Sequence, residues 1–311
     1  MNNEVYDKYI LAGKIAAEAR DFGISLLKPS TSCLDIANKI ESKILEKGGG
    51  LAFPVNISIN EVAAHFSPKH DDTLTLKKDD VVKLDIGAQV DWYIADTAVT
   101  VEIGNNNYNE MIKASSEALD AAIKILKAGI TLYEIGKIVQ KTITSYGYKP
   151  IDNLTGHSMQ KYILHAGMSV PNIPDEIYNG KPKDGDVLAI EPFATNGAGH
   201  VISGPGSNIY LCKDSLKKLI IRDKEAKLIF EKIKNEFKTL PFAQRWFKKQ
   251  FNYSEMSLRK LSFIGLLKHY PQLIDAKKGI VTQKEHTVIV TEDGCEVITW
   301  KLKMIQKIQK L

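Results

Sequence analysis

Apolar residues recur at helical spacing in two separate parts of the chain. Residues 4–27 carry apolar side chains on one face of such a helix, and Pro29 follows soon after the pattern ends. A second pattern spans 33–47 and stops at three consecutive glycines, which commonly end helices. Two further helices are predicted over 108–127 and 132–146. The sequence therefore predicts two pairs of helices.

The segment between these pairs has a different character. Residues 80–103 are rich in β-branched, aliphatic and aromatic residues, which predicts two strands joined by a tight turn near Val90–Trp92. Another strand is predicted at 187–193, after the turn-rich segment KPKDGD. Further strands are predicted at 207–212 and 286–299.

A Lys-rich segment with helical spacing follows at 214–279, where apolar positions around Ile229 and Leu258 mark two helices. This segment has the character of a helical insertion between two strands of the main domain. We therefore expect a main domain built from 1–213 and 280–311, with 214–279 as an inserted subdomain.

The composition indicates a folded, moderately basic protein. The chain has 311 residues, of which 44% are hydrophobic, enough for a substantial core, and its net charge is +5. The basic residues are densest near 213–260 and in the C-terminal KLKMIQKIQKL. Such runs are typical of solvated helix faces, and a weak attraction to RNA, for example at the ribosome surface, is the alternative.

Cysteine usage and the absence of apolar runs indicate the compartment. Cys33, Cys212 and Cys295 lack any CxxC spacing, which argues against a disulfide framework or a zinc knuckle. The N-terminus has no uninterrupted apolar core, and no stretch reaches the length of a membrane span. We expect a cytoplasmic protein without membrane contact.

Asp85 and Asp96 are the first candidates for chemistry, because both lie in apolar strand sequence where an unpaired carboxylate is costly to bury. A tight hairpin places them on one face of the sheet. They are directly opposite if the loop is Val90–Asp91 and diagonal if it is Asp91–Trp92, roughly 5–8 Å apart in either register. A divalent cation is the natural partner for two such charges, and a solvated strand face is the alternative.

Other ionisable residues add to this pair. His157 lies in the loop-like segment DNLTGHSM, and His165 follows in YILHAG. Glu191 ends the apolar run VLAIEPF, Glu285 leads into a strand, and His65 precedes a turn. Taken alone, each is also typical of a surface or structural residue. Together, four carboxylates and one nitrogen ligand could hold two divalent ions, leaving histidines to polarise a carbonyl or carry protons.

These residues lie in motifs that resemble a known family. The string KLDIGAQVDWYIADTA resembles the signature of the type II methionine aminopeptidases. The segments NISINEVAAHFSP, NLTGHSMQKYILHAG, AIEPFAT and QKEHTVIV resemble further family segments in the same order, so the resemblance covers about residues 5–299. It implies a pita-bread α/β fold with two pseudo-related halves, curved antiparallel strands, outer helices and a helical, winged-helix-like insertion.

The resemblance also implies a metal centre. Asp85 is expected to bind the first of two divalent metals, and Asp96 to bridge both. His157 and Glu191 are expected to bind the second metal, while Glu285 is the second bridging ligand. Cobalt, manganese and iron suit such an oxygen-rich site comparably, and zinc or nickel are further options.

The remaining implied roles concern the substrate. Glu191 is expected to take a proton from the attacking water. His65 is expected to flank the substrate and assist its carbonyl, and His165 to contact the scissile peptide and stabilise the tetrahedral intermediate. Phe53 and Phe193 match residues that wall the methionine side-chain pocket, although ordinary core packing is the alternative for Phe193.

The implied reaction is removal of the initiator methionine from nascent proteins with a small second residue, by a hydroxide that bridges two metals. A monomer with transient ribosome contact is expected. An Xaa-Pro dipeptidase of the same fold shares the five ligands, and a non-catalytic RNA- or ribosome-binding homologue is a third reading. One departure concerns Trp92, where the family usually has glycine. This residue predicts a different or looser turn.

Overall fold

The computed structural model describes residues 1–213, 221–250 and 255–300. The basic C-terminal segment 301–311 and the first residues of the expected insertion, 214–220, lie outside the described residues. None of the helices in the described part of the chain is long and apolar enough to cross a membrane.

The first four helices confirm the two predicted pairs. The side chain of Asn2 accepts a hydrogen bond from Val5 N at the start of the first helix, and the Ser32 side chain does the same for Asp35 N at the second. Within the described residues the α-helices are α1 (Asn3–Leu26), α2 (Cys33–Glu46), α3 (Asn109–Ile125), α4 (Leu132–Ser145), α5 (Lys224–Phe237), α6 (Gln244–Gln250) and α7 (Glu255–Phe263).

The strands are mostly short, and the strand pairs of the described sheets are antiparallel. They are β1 (Gly50–Leu51), β2 (Asn56–Ile59), β3 (Val62–Ala64), β4 (Val81–Val90), β5 (Tyr93–Glu102), β6 (Lys149–Pro150), β7 (Thr155–Met159), β8 (Ser169–Pro171), β9 (Val187–Ile190), β10 (Phe193–Thr195), β11 (Val201–Cys212), β12 (Phe242–Ala243), β13 (Leu267–Asp275), β14 (Val281–Gln283), β15 (His286–Val290) and β16 (Cys295–Val297).

Two halves of similar construction carry the site. In the first half, β4 pairs with β1, β2 and β5, and α1 packs across β4 and β5. In the second half, α3 and α4 pack together beside a sheet of order β16-β15-β9-β7-β8. The halves meet where β5 contacts β15 and β9. Strands enclosed by outer helices confirm the pita-bread architecture.

Each half has its own hydrophobic core. One cluster joins the buried faces of α1 and α2 to β4 and β5, and another joins α3 and α4 to β9 and β15. A third cluster lies among α5, α6, α7 and the start of β13. Burial of these apolar faces is the main force that holds the helices on the sheets.

Several strand predictions were incomplete. The strand predicted at 187–193 is interrupted at Glu191 and Pro192, so β9 and β10 belong to different sheets. The strand predicted at 286–299 is two strands, β15 and β16. The helical spacing of the Lys-rich segment did not predict β12 and β13, which pair with β11.

Candidate active site

The β4–β5 hairpin positions the first two acidic residues. Val90 pairs with Tyr93, so the loop is Asp91–Trp92, and Asp96 lies opposite Gly87. Asp85 and Asp96 are therefore diagonal neighbours on one face, which is the second of the two predicted registers.

The expectation of a different or looser turn at Trp92 was wrong. Asp91 and Trp92 both have positive φ, 49° and 72°, as a tight two-residue hairpin turn requires. The indole stacks on Tyr162 with ring centroids 5.0 Å apart, and Tyr162 N donates to Trp92 O at 3.0 Å. Trp92 N donates to Gln89 Oε1 at 2.6 Å. These contacts hold a bulky residue in a conformation that usually takes glycine.

The second half supplies three more candidates from neighbouring strands. His157 lies in β7 opposite Ala189 of β9, so the prediction that it occupies a loop was wrong. Glu191 and Glu285 extend the β9–β15 ladder by one step beyond its last pair, which brings the two carboxylates opposite each other. Gly156 makes the β7–β9 approach possible, because a Cβ there would lie 2.2 Å from Ala189 O.

Hydrogen bonds fix the two halves against each other at this point. Asp96 N donates to Thr287 Oγ1 at 2.7 Å. Thr97 Oγ1 donates to Glu285 O at 3.0 Å, and Glu285 N donates to Ala98 O at 3.1 Å. Backbone groups and two threonine hydroxyls thus hold β5 against the start of β15.

Eight of the nine predicted site residues line one cavity of about 70 Å³. Phe193 is not among the residues that line it, and it lies buried with Ala63, Ile151, Val201 and Val281. The described lining is Phe53, Asn56, Ala64, His65, Asp85, Asp96, His157, Leu164, His165, Glu191, Ile209, Pro241, Tyr270 and Glu285.

The polar atoms of the cavity converge. His157 Nε2 lies 3.7 Å from Asp96 Oδ2 and 3.9 Å from Glu191 Oε1. Asp96, His157 and Glu285 each offer one atom within 4.8 Å of the others. Gln283 Nε2 donates to Glu191 Oε2 at 3.0 Å and reaches Glu285 Oε2 at 3.4 Å.

Burial disfavours the charged form of these carboxyl groups. It raises the pKa of Asp85 to about 7. The pKa of Asp96 is raised by burial first and then by the charges of Asp85 and Glu191. Burial and neighbouring carboxylates also raise the pKa of Glu191 and of Glu285. Four acids share a space in which they cannot all ionise without a cation.

The histidines are kept neutral. Burial, and secondarily His165, lower the pKa of His157 to about 3 and that of His65 to about 4. Burial and the charge of Lys268 lower the pKa of His165 to about 4. The rings of His157 and His165 meet edge to face, with centroids 4.4 Å apart. Neutral imidazole nitrogens can bind a metal or donate a hydrogen bond.

The donor set fits divalent metal ions. Asp85 Oδ1 and Asp96 Oδ1 are buried and lack a hydrogen-bond partner among the described residues. Buried carboxylate oxygens without a donor are rare unless an ion satisfies them. Four carboxylates and an imidazole are ligands that Mn²⁺, Fe²⁺, Co²⁺ and related ions accept.

Comparison with known proteins agrees with this chemistry. The profile of metallopeptidase family M24 matches residues 7–292. This chain belongs to metallopeptidase family M24. The match includes every site residue predicted from the sequence, so the M24 assignment covers both halves of the cavity.

Curated M24 relatives match over nearly their whole length. Methionine aminopeptidase of Pyrococcus horikoshii is 46% identical over 295 residues, covering 94% of this chain and 99% of the relative. That of Methanocaldococcus jannaschii is 47% identical over 300 residues, covering 96% and 100%. The solved structure of a methionine aminopeptidase from Thermotoga maritima superposes with a TM-score of 0.71, covering 97% and 98%. At 20% identity, this last likeness shows the fold.

Sequence reasoning missed several residues of the cavity. Asn56 could be recognised only after β2 had been paired with β4, where it lies opposite Asp85. Gln283 is not among the lining residues but donates to Glu191, and it precedes Glu285 by two residues, a strand spacing that could have drawn attention to it. No local pattern distinguishes Pro241 or Tyr270, because both reach the cavity from distant segments.

Proposed function

We propose that this M24 protein is a methionine aminopeptidase, which hydrolyses the peptide bond after the N-terminal methionine of polypeptides whose second residue is small. The observation that carries the proposal is the buried group of four carboxylates and a neutral histidine in one cavity. The extensive identity to archaeal methionine aminopeptidases supports the same activity.

Five residues are assigned to hold two divalent cations. Asp85 would bind one, His157 and Glu191 the other, and Asp96 and Glu285 would contact both. Cobalt, manganese and iron are the first metals to test, followed by zinc and nickel. Bound cations would polarise the scissile carbonyl and lower the pKa of the attacking water.

Glu191 is assigned the proton transfer. Its side chain lines the cavity at the end of β9, where the strand is interrupted before Pro192. Gln283 Nε2 donates a hydrogen bond to Oε2 of Glu191, and Oε1 of Glu191 lies 3.9 Å from His157 Nε2. In this position Glu191 can accept a proton from water and return it to the leaving amine.

His65 and His165 are assigned to the substrate. Both are neutral, so a ring N–H can donate to the carbonyl oxygen and to the oxyanion that forms from it. His65 also contacts Tyr270 edge to face, with centroids 5.2 Å apart. The ring contact fixes its orientation towards the cavity.

The apolar wall is assigned to the methionine side chain. Phe53, Leu164, Ile209 and Pro241 line the cavity beside the carboxylates. An apolar wall suits a flexible, polarizable thioether. Phe193 would support this wall from behind, since it packs against the Ala63 side of the same region.

The proposal extends to the setting of the reaction. The protein would act as a cytoplasmic monomer on nascent polypeptides, with transient ribosome contact. Residues 1–213 and 280–311 would form the catalytic domain, and 214–279 the inserted subdomain.

The test is release of free methionine from Met-Ala-Ser by metal-stripped protein after adding Co²⁺, Mn²⁺, Fe²⁺, Zn²⁺ or Ni²⁺. We expect metal-dependent release and a binding stoichiometry of two ions. Glu191→Gln keeps the size of the side chain but removes its basic oxygen. A general base contributes about 10²–10⁴-fold, so we expect a loss of that order.

The outcomes separate the alternatives. Folded wild-type protein that releases no methionine with any metal would contradict the proposal. Cleavage of Xaa-Pro dipeptides in preference to Met-Ala-Ser would indicate a dipeptidase. Salt-sensitive RNA binding without turnover would indicate a binding protein.

A further inference from the structure

A buried ion pair joins α2 to α6. Glu41 and Arg245 are only 5% and 4% exposed, and Arg245 Nη2 donates to Glu41 Oε1. Trp246 Nε1 donates to Glu41 Oε2 at 2.8 Å. The pair lies outside the cavity that contains the carboxylates, and no role described above uses it.

Glu41 reaches one wall of the active-site cavity. Its Oε1 accepts a hydrogen bond from Val55 N at 3.2 Å. Val55 lies between Phe53 and Asn56, and both of these residues line the cavity. The carboxylate therefore fixes the short segment that presents the predicted methionine wall.

Arg245 reaches a second wall. Its Nη1 donates to Ser67 Oγ at 2.7 Å and to Pro68 O at 3.1 Å. Ser67 Oγ donates in turn to Val55 O at 2.8 Å, which closes the network onto the first wall. Ser67 follows His65 by two residues, so the guanidinium fixes the segment that carries this histidine.

His65 needs such support because its backbone is strained. Its φ is 64°, in the left-handed region that residues other than glycine rarely adopt. Such a conformation persists only where the surrounding structure determines it. Ile57 N donates to Phe66 O at 2.8 Å on one side of the turn, and Arg245 holds the other side.

Apolar packing alone does not set the position of α6 against α2. A second cavity of about 590 Å³ lies between α2 and the start of α6, and both Glu41 and Arg245 line it. Pro241, just before β12 and α6, lines this cavity and the active-site cavity alike. Because this cavity separates α2 from α6, the directional Glu41–Arg245 ion pair sets the distance between the two helices.

Buried ion pairs often add little net stability, since apolar residues of similar volume can replace them, but they can specify one arrangement. We propose that Glu41 and Arg245 are positioning residues for the substrate, which fix the Phe53, His65 and Pro241 segments relative to the carboxylates. This inference rests on the proposed aminopeptidase activity. The ion pair thereby sets the geometry in which the cavity binds an N-terminal methionine.

The test compares the metal-loaded wild type with Arg245→Lys and with the double variant Glu41→Leu/Arg245→Met. Lysine keeps the charge beside Glu41 but cannot donate to Glu41, Ser67 and Pro68 from a planar fork. The double variant replaces the pair with apolar groups and leaves no unpaired buried charge. Kinetics with Met-Ala-Ser and with norleucine-Ala-Ser are measured, together with calorimetric binding of free L-methionine and the thermal midpoint.

We expect kcat/KM for Met-Ala-Ser to fall between about tenfold and a hundredfold in both variants, as small misplacements of a site typically cause. The preference for methionine over norleucine should fall with it, and L-methionine should bind more weakly. Metal stoichiometry should stay at the wild-type value, because the pair contacts none of the five ligands.

A matched control is Lys260→Met, which removes the ion pair between Lys260 and Asp223 within the Lys-rich segment and away from the cavity. It should leave the methionine preference unchanged. If Arg245→Lys is folded and keeps wild-type kinetics and preference, the inference is wrong. A drop in thermal midpoint with unchanged preference would also overturn it, since that is the signature of a purely structural pair. An inactive wild type would instead refute the proposed function.

Discussion

Left-handed backbone conformations mark two residues near the site. His65 and Trp92 have φ values of 64° and 72°, although neither is glycine. Each has stabilising contacts beside it, because Arg245 bonds Ser67, two residues after His65, and the indole of Trp92 stacks on Tyr162. Local strain is tolerated there because tertiary contacts compensate for it.

Two substitutions of Trp92 compare the stabilisation by the ring stack with the cost of the left-handed backbone. Trp92→Ala removes the ring stack and keeps a Cβ in the left-handed region, whereas Trp92→Gly removes both. Loss of the ring stack lowers the free energy of unfolding by about 0.5–1.5 kcal/mol beyond the effect of lost burial. Removal of the Cβ from the left-handed conformation raises it by about 1–2 kcal/mol.

We therefore expect the alanine variant to have the lower free energy of unfolding of the two, by about 1 kcal/mol. Urea denaturation of both variants beside the wild type is the measurement. An alanine variant as stable as the glycine variant would show that the turn is not strained.

At the level of elements, the close approach of strands and side chains depends on glycines. Gly87 lies opposite Asp96, and a Cβ at this position would lie 2.2 Å from Phe53 Cε1. The ring of Phe53 can therefore cover this part of β4 only because the residue is glycine. The same strand carries Asp85, so β4 both lies against the ring of Phe53 and supplies the first proposed metal ligand.

Gly87→Ala should displace Phe53 from the wall. Overpacking of this kind costs about 1–3 kcal/mol in the free energy of unfolding. We also expect a higher KM for Met-Ala-Ser, since the ring would intrude on the methionine pocket. Denaturant unfolding and steady-state kinetics are the measurements.

The double variant Phe53→Ala/Gly87→Ala supplies the control. Removing the ring removes the clash, so the two stability losses should be less than additive. Strict additivity would show that the two residues do not compete for the same space.

At the level of the whole molecule, the site lies where the two halves meet, and its buried acids make the assembly sensitive to pH and metal. Without metal, burial raises the pKa of Asp85 to about 7 and also raises the pKa of Asp96, Glu191 and Glu285. Acids with a raised folded-state pKa stabilise the fold most below their unfolded pKa, about 4. That stabilisation is lost as the pH rises through the folded-state pKa.

We therefore expect the thermal midpoint of metal-stripped protein to decrease as the pH is raised from about 7 to about 8. This range lies above the unfolded-state pKa of histidine, about 6.5, so the lowered pKa values of His65, His157 and His165 no longer change the stability there. Added Co²⁺ or Mn²⁺ should raise the midpoint, and more strongly at the higher pH, because metals bind the deprotonated ligands. Differential scanning calorimetry at both pH values, with and without metal, is the measurement. Metal-free protein that becomes more stable between these two pH values would contradict the burial of four acids in one site.

The sequence by itself determined the local elements with regular patterns. The helical periodicity of α1 to α4 and the strand character of β4 and β5 depend on interactions within a few residues, so they can be read along the chain. Diagonal placement of Asp85 and Asp96 was one of two registers that the hairpin allowed. The family motifs additionally indicated which ionisable residues to consider together.

The tertiary structure alone decided what depends on pairing between distant segments. No local pattern indicates that His157 lies in a strand, because the strand forms only through pairing with β9 and β8. The break at Glu191, the tight turn at Trp92 and the buried Glu41–Arg245 pair likewise depend on contacts far along the chain. Long-range contacts select these features because the free energy of strand pairing and burial exceeds local preference.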